Sequence, residues 1–204
     1  MDMPVLIEQC NLGVPQQVVE ALIQVESAGS PHALGVNVTT GKPQPVFEPP
    51  QSKAEAVLLA VDLVSQGYNV DVGLMQVNSS NLARYDIPLS QAFEPCRNIE
   101  AGSRVYLEFA ARFAKQGHLF PTAYDRMIAT LSAYNTGSAR NGVRNGYVAR
   151  VMNQIGSLAD PAAASMEVNF IFDVSAPGDD RMAVDFTSRE PIPFVNTVLV
   201  IKDN

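Results

Sequence analysis

The sequence predicts a mainly α-helical domain followed by a small β-prone extension. Apolar residues recur at helical spacing in several segments between Val14 and Leu158, and Gly or Pro residues separate these segments. After Leu158 the stretch "ADPAAAS" has the composition of a linker, and "MEVNFIFDV" and "PFVNTVLVIKD" are candidate strands. We therefore expect one domain over residues 1–158. Residues 159–204 form an extension that is either a β-hairpin or a flexible tail.

Helix signals define five segments of the domain. The first runs from Val14 to about Ser27, with Pro15 suited to a first helical turn. Capping residues mark the next starts, because Ser52 precedes an apolar run and Thr122 precedes another. The later helices are expected over 52–67, 94–117, 122–137 and 145–158. Between the second and third helices, "YNVDVGLMQVNSSNL" predicts a short extended piece leading into a turn.

Composition restricts the class of function. The chain has 204 residues, of which 47% are hydrophobic and 17% charged, as in ordinary globular proteins. Its formal net charge of -7 argues against a nucleic-acid partner held by electrostatics. No apolar run is long enough to cross a bilayer, and the start lacks the basic and apolar regions of a signal peptide. The residues alone leave two alternatives: a cytosolic protein, or one whose signal peptide is absent from this sequence.

The two cysteines, Cys10 and Cys96, leave two alternatives open. They form one disulfide in an oxidising compartment, or they are buried reduced thiols. Their spacing matches no metal site, and both histidines are distant in sequence. We therefore expect neither a metal nor a cofactor.

Glu26 is the first candidate catalytic residue. It follows Val19, Leu22 and Ile23 at helical spacing, so a carboxylic acid ends an otherwise apolar face. Burial there disfavours the ionised form and raises the pKa of Glu26, and the C-terminal end of a helix dipole adds to this. A carboxylic acid that keeps its proton near neutral pH suits general acid catalysis. The alternative is that the helix ends there and Glu26 turns to solvent.

Two further stretches could bind a ligand. "GLMQVNSSN" places amides and hydroxyls, including Gln76 and Asn78, beside apolar residues, which suits a hydroxyl-rich ligand such as a sugar. The alternative is an ordinary polar turn. "LSAYNTG" places Tyr134 and Asn135 at the end of an apolar helix, where an aromatic ring is a usual platform for sugars. The alternative for Tyr134 is a core aromatic with its hydroxyl at the surface.

Together these stretches resemble the lytic transglycosylase domain, which has a goose-lysozyme-like, mostly helical fold and cleaves peptidoglycan. Glu26-Ser27, "GLMQVN", "AYNTG" and Tyr147 in "GYVARV" occur in the order and approximate spacing of that domain, over roughly Val14 to Ile155. "ESAGSPHALGVN", "VDVGLMQVNSSN" and "FEPCRNIEAGSRVYL" look most similar to the branch that accompanies type IV secretion and conjugation systems.

The resemblance implies a mechanism with a single carboxylic acid. Glu26 protonates the oxygen that joins N-acetylmuramic acid to N-acetylglucosamine, and then takes the proton of the muramic C6 hydroxyl. That hydroxyl closes on C1 and gives a 1,6-anhydro sugar. The residues that the resemblance implies for substrate binding are Ser27, Gln76, Asn78, Tyr134, Asn135 and Tyr147. At Gly35 the sequence departs from many relatives, which carry a serine there.

The resemblance also implies a periplasmic location behind a cleaved signal peptide. The sequence is then a mature form with a Met added, and Cys10 and Cys96 form a disulfide. The implied partners are peptidoglycan glycan strands and, through the extension, components of a type IV secretion or conjugation apparatus. Two other functions stay open. One is a lysozyme-like hydrolase in which Asp71 activates water, and the other is a non-catalytic factor that binds the cell wall.

Overall fold

The computed structural model describes residues 2–38, 41–159 and 197–199. The described helices are α1 (Met3–Cys10), α2 (Gln16–Ser27), α3 (Lys53–Ser65), α4 (Ser79–Arg84), α5 (Leu89–Ala92), α6 (Pro95–Ala114), α7 (Ala123–Thr136), α8 (Asn141–Arg144) and α9 (Tyr147–Ala159). The described strands are β1 (Leu34–Asn37), β2 (Asn69–Val72), β3 (Val77–Asn78) and β4 (Thr197–Leu199). Helices dominate the described residues, which confirms the predicted mainly α fold.

Local signals explain where the predicted helices begin and end. The Ser52 hydroxyl accepts the backbone N–H of Glu55 and begins α3. Thr122 and Asp125 form a reciprocal capping box at the start of α7. That helix ends at Gly137, whose φ of 72° lies in the left-handed region that glycine adopts without steric cost. These positions confirm the boundaries that the sequence predicts.

The core forms around α2. Val19, Leu22 and Ile23 are fully or almost fully buried, and α2 packs along α9. The long helix α6 packs against α7 and α1. Its buried face includes Ile99 and Tyr106, as its apolar period predicts. Burial of these stripes, rather than helix propensity, is the main source of stability for helices of this length.

A small antiparallel sheet stands beside the helices, with strand order β3-β2-β1-β4. In its register Gly35 lies opposite Asp71, and Asp71 lies opposite Asn78. The sequence predicts an extended piece where β2 lies but gives no sign of β1. All four residues of β1 are buried, so the strand lacks the alternation that predicts half-buried strands.

The N-terminal helix α1 was also missed, and so were the short helices α4, α5 and α8. Eight residues give too few turns for a clear period, although Leu6, Ile7 and Cys10 of α1 are buried. Cys10 ends α1 and forms a disulfide with Cys96 in the first turn of α6, with the two Cα atoms 5.2 Å apart. This bond is the one that the resemblance implies, and it ties α1 to α6.

The extension is described in part. Helix α9 continues to Ala159, and β4 lies within the second predicted strand and pairs antiparallel with β1. The first predicted strand, residues 166–174, lies outside the described residues. The hairpin, the flexible tail and the boundary at residue 158 therefore stay predictions. Among the helices that the structure describes, none has the length and apolar character needed to cross a membrane.

Candidate active site

Glu26 lies in the last turn of α2 and is partly exposed, whereas the apolar residues of the same face are buried. The helix ends directly after it, because Ala28 adopts a left-handed conformation with φ 50°. Packing of α9 along α2 brings Tyr147 to this point. The Tyr147 hydroxyl donates a hydrogen bond of 2.5 Å to Oε1 of Glu26. The apolar face of α2 thus ends at a largely buried carboxyl group that Tyr147 holds.

The surroundings of Glu26 favour its protonated form. Burial raises the pKa of Glu26 to about 8, and the negative charge of Asp71 acts in the same direction. The hydrogen bond from Tyr147 and the positive charge of Arg150 act against this rise. At neutral pH most molecules therefore carry a proton on Glu26, as the apolar face of the helix predicts.

The tyrosines beside Glu26 are hydrogen-bond donors. Burial raises the pKa of both Tyr134 and Tyr147 well above its usual value, and the charge of Glu26 adds to the effect. Tyr134 donates to the carbonyl oxygen of Met75 at 2.8 Å, and Tyr147 donates to Glu26. Both hydroxyls thus keep their protons and hold fixed partners within the protein.

The loop Gly73–Gln76 is held in place by side chains from three helices. From α2, the Ser27 hydroxyl donates to the carbonyl oxygen of Leu74 at 2.7 Å. From α7, Tyr134 holds the carbonyl of Met75, as described above. From α6, the buried Asn98 accepts the backbone N–H of Met75 at 2.7 Å. This loop carries the "GLMQ" motif, and its fixed position sets where Gln76 stands.

Asn98 was not among the predicted site residues, although it spans the base of this loop. Its Nδ2 donates to the carbonyl oxygens of Val72 and Ala92, both at 2.8 Å. A Cβ at Gly73 would lie 2.3 Å from this Nδ2, which explains the glycine at the start of the motif. A sequence signal existed, because Asn98 lies at helical spacing from Val105 and Phe109, and an asparagine on an apolar helix face requires hydrogen-bond partners.

Gln76 adopts an uncommon backbone conformation, with φ 46°. Its Nε2 donates to the carbonyl oxygens of Gly73 and Ala33, at 2.9 and 3.1 Å. The two carbonyl acceptors identify this end of the side-chain amide as the nitrogen, so the other end is the oxygen Oε1. Its Oε1 is buried, and no donor among residues 2–38 and 41–159 reaches it. A buried acceptor without a donor costs free energy, which is typical of a functional site.

A polar chain crosses the sheet beside the loop. Asp71 on β2 is buried and accepts Nδ2 of Asn78 at 2.7 Å on one oxygen and Nδ2 of Asn37 at 2.8 Å on the other. Asn78 also accepts the backbone N–H of Ser80 at 3.0 Å and so caps α4. The structure thus engages Asn78 in the fold itself. Asn37 was not predicted, since nothing in the sequence predicts β1.

Asn135 lies at the end of α7, where it is partly exposed and accepts Nδ2 of Asn145 at 2.9 Å. Ser27, Tyr134 and Asn78, in contrast, form their side-chain hydrogen bonds with other groups of the protein. Within the part of the chain that the structure describes, no three His, Cys, Asp or Glu residues converge as metal ligands.

A lysozyme-like helical domain with a proton-holding glutamic acid beside a "GLMQ" loop is the architecture of a transglycosylase domain. Comparison with known families supports this class, because the family described as Transglycosylase SLT domain matches residues 3–155. The chain belongs to this family.

Curated relatives carry virB1 names. The type IV secretion system protein virB1 of Brucella abortus is 40% identical over 101 residues, which cover 50% of this chain and 40% of that protein. Protein virB1 of Agrobacterium fabrum is 31% identical over 159 residues, which cover 76% of this chain and 60% of that protein. The matched part of this chain thus spans 40% to 60% of the length of these two relatives. No solved structure matches the chain.

Proposed function

We propose that this chain is a peptidoglycan lytic transglycosylase that cleaves the β-1,4 bond between N-acetylmuramic acid and N-acetylglucosamine and leaves a 1,6-anhydro end. The observation that carries the proposal is the Glu26–Tyr147 pair. Burial favours the protonated form of Glu26 near neutral pH, and the hydrogen bond from Tyr147 holds its Oε1. A positioned acid with a pKa near the working pH is what general acid catalysis requires.

In the first step Glu26 acts as the acid. Its Oε1 accepts the Tyr147 hydroxyl, so the proton to be transferred lies on Oε2. Transfer of this proton to the bridging oxygen breaks the bond between that oxygen and C1 of the muramic sugar. The sugar left behind has oxocarbenium character, and Glu26 is now a carboxylate.

In the second step the same residue acts as the base. Glu26 takes the proton of the C6 hydroxyl, and that oxygen forms a bond with C1. The proton is back on Glu26, the ring is closed, and no water has been consumed. A group that serves in both directions works best with a pKa close to the ambient pH, and the raised pKa of Glu26 is in that range.

Substrate contacts are assigned by the position of polar atoms. The buried Oε1 of Gln76 would accept a hydroxyl or an acetamido N–H of the sugar beside the cleaved bond. Asn135, which is partly exposed, would contact the sugar directly. Ser27, Asn78 and Tyr134 would act mainly by shaping the floor, because their side chains hold the loop and the sheet.

The biological setting is proposed from the relatives. The Brucella abortus relative is named as a type IV secretion system protein, which suggests that this chain opens the cell wall locally for such an apparatus. A periplasmic location agrees with the Cys10–Cys96 disulfide, because disulfides persist in oxidising compartments. The extension would contact components of that apparatus. Its strand β4 pairs with β1, so this contact would involve residues beyond β4 or displacement of that strand.

The competing hydrolase mechanism needs a second carboxylate to activate water. Asp71 is the candidate, but each of its oxygens already accepts an amide N–H, from Asn37 or from Asn78. A general base must reach the proton that it abstracts, and a clamped and buried carboxylate is poorly suited to this. This arrangement favours the transglycosylase, and it disfavours water activation by Asp71.

The test compares the native protein with Glu26→Gln on purified peptidoglycan. The variant keeps the size of the side chain, so we expect the native fold by circular dichroism and a loss of glycan release of at least about a thousandfold. Asn153→Asp, a change at an exposed position of α9, is the control and should cleave normally. Undiminished release by the folded Gln variant would refute the role of Glu26. Absence of release from the native protein would favour the binding factor.

A further inference from the structure

The segment from α7 to α9 is positively charged in a chain that is acidic as a whole. Residues 126–159 contain four arginines and no aspartate, glutamate or lysine, whereas the chain has a formal net charge of -7. Arg126 is engaged, because it donates to two backbone carbonyl oxygens. Arg140, Arg144 and Arg150 are exposed, and none of them forms an ion pair with a carboxylate of the described residues. These three charges are open to a negatively charged ligand.

Arg150 is the one of the three that contacts the candidate active site. Its guanidinium carbon lies 5.8 Å from the centre of the Tyr147 ring, within the range of a cation–π interaction. The hydroxyl of the same tyrosine donates to Oε1 of Glu26 at 2.5 Å. A single aromatic ring therefore separates the positive charge of Arg150 from the carboxyl group that acts as the acid.

The guanidinium of Arg150 is positioned by packing rather than by hydrogen bonds. A Cβ at Gly146 would lie 3.8 Å from its Nη1, so the group is in van der Waals range of the chain just before α9. No acceptor among the described residues takes a hydrogen bond from this side chain. Arg84, in contrast, pairs with Glu108 at 2.6 Å. A planar guanidinium with free N–H groups is suited to bind a carboxylate through two parallel hydrogen bonds.

The substrate of the proposed reaction carries carboxylates on one of its two sugars. N-acetylmuramic acid bears a lactyl substituent, which in the cell wall is joined to a short peptide with free carboxyl groups. N-acetylglucosamine bears no such group. The negative charge of the whole chain repels an anionic ligand, so a local positive charge decides where such a ligand docks. Arg150 supplies that charge beside the acid that cleaves the bond of the muramic sugar.

We propose that Arg150 is a substrate-binding residue that recognises a carboxylate on the substituent of the muramic sugar. This inference rests on the proposed function and names the part of the glycan that the site selects. In the intact wall the carboxylate belongs to the peptide, and in strands freed of peptide it belongs to the lactyl group. The contact distinguishes peptidoglycan from glycans that consist of N-acetylglucosamine alone.

The test is an NMR binding titration with three disaccharides. The first is N-acetylglucosamine linked to a muramic sugar that bears its peptide, the second is the same disaccharide without peptide, and the third consists of two N-acetylglucosamine units. None contains the bond that the proposed reaction breaks, so the titration requires no activity. We expect the native protein to bind the peptide-bearing ligand roughly threefold to tenfold more tightly than the third ligand.

Arg150→Gln should abolish this preference and leave the binding of the neutral ligand unchanged. Arg150→Lys keeps the charge and loses the planar fork, so it should retain part of the preference. The matched control is Lys115→Gln, which removes an exposed positive charge outside residues 126–159 and should retain all of it. Because both positions are exposed, we expect the variants to keep the native fold, which their NMR spectra report directly.

The pattern across the ligands decides the outcome. Weaker binding of only the peptide-bearing ligand by Arg150→Gln identifies a peptide carboxylate, and weaker binding of the peptide-free muramic ligand identifies the lactyl group. Unchanged binding of all three ligands, or equal weakening of all three, would overturn the inference. If Arg150→Gln loses the preference but the native protein releases no glycan, the inference stands and the proposed function fails. Glycan release by a native protein that binds all three ligands equally would overturn this inference alone.

Discussion

Tyr147 and Glu26 are separated by 121 positions in the chain, yet the tyrosine hydroxyl donates a 2.5 Å hydrogen bond to the carboxyl group. The contact exists because α2 and α9 pack along each other and because α2 ends at this point. The hydroxyl lies in a buried environment where its pKa is raised, so it stays a donor across the working pH range. Helix packing thus orients the acid of the candidate site.

Tyr147→Phe should lower activity and shift its pH dependence. The lost hydrogen bond stabilises the ionised form of Glu26, so its removal should raise the pKa of Glu26 further and move the alkaline limb to higher pH. We expect turnover to fall roughly tenfold to a hundredfold, since Tyr147 stabilises the carboxylate that Glu26 becomes when it gives up its proton. Initial rates of glycan release across pH provide the measurement. A profile identical to that of the native protein would exclude Tyr147 from the mechanism.

Glu26→Gln should stabilise the protein at high pH. The folded state keeps the proton of Glu26 up to about pH 8, whereas the unfolded chain releases it near the ordinary glutamate pKa of 4.5. The native protein therefore loses stability as pH rises between these values, and the Gln variant lacks this loss. The gain in the free energy of unfolding should reach a few kcal/mol above pH about 8 and vanish below the lower value.

Urea denaturation of both proteins at about pH 5 and about pH 9 measures this difference. Asp62→Asn, a change of an exposed carboxylate, serves as the control for general charge effects. If the free energies of unfolding of the two proteins differ by the same amount at both pH values, the pKa of Glu26 is not raised in the folded state.

Asn98→Leu should lower turnover by more than its loss of folding stability accounts for. The change leaves the carbonyls of Val72 and Ala92 and the N–H of Met75 without their partner, so the "GLMQ" loop loses one of the three side chains that hold it. We expect a loss of about 2–4 kcal/mol in the free energy of unfolding and a drop in turnover of about tenfold or more, measured well below the melting temperature. The same substitution at the exposed Asn153 should change neither. Normal turnover in a destabilised Asn98→Leu protein would show that Asn98 has only a structural role.

Replacing both cysteines by serine should destabilise the domain. The Cys10–Cys96 disulfide closes a loop with a sequence separation of 86, and cross-links of this length restrict the unfolded chain strongly. We expect the free energy of unfolding to fall by about 3–5 kcal/mol in denaturant titrations. Addition of a reducing agent should bring the native protein to the same value and leave the variant unchanged. Equal stability of the two oxidised proteins would argue against the bond.

The sequence predicted the elements that carry their own signals and missed those that depend on distant partners. Helices α3 and α7 have side-chain N-caps and α6 has a long apolar period, so the boundaries of all three were predicted to within a few residues. Strand β1 is four buried residues whose hydrogen bonds come from β2 and β4, and no local pattern marks it. The short helices were not predicted for a similar reason, because tertiary packing rather than helix propensity stabilises them.

The candidate site likewise combines residues that local sequence patterns predict with residues whose positions depend on distant partners. The position of Glu26 on an apolar face predicted its raised pKa, and the structure agrees. The motifs indicated the loop Gly73–Gln76, but not the side chains that hold it. The positions of Asn98 and Asn37 follow from the packing of α6 and the pairing of β1, which no single segment encodes. For Ser27 and Tyr134, hydrogen bonds to the loop show a structural role that a motif alone does not distinguish from substrate binding.

The most direct test of the proposed reaction is mass spectrometry of fragments released from purified peptidoglycan by the native protein in water labelled with heavy oxygen. A lytic transglycosylase uses the C6 hydroxyl of its substrate, so its products should be lighter than hydrolysis products by one water and carry no heavy oxygen. A hydrolase transfers solvent oxygen to the new reducing end. Unlabelled anhydro fragments, absent in Glu26→Gln, are the result that we predict. Labelled reducing ends would contradict the proposed mechanism.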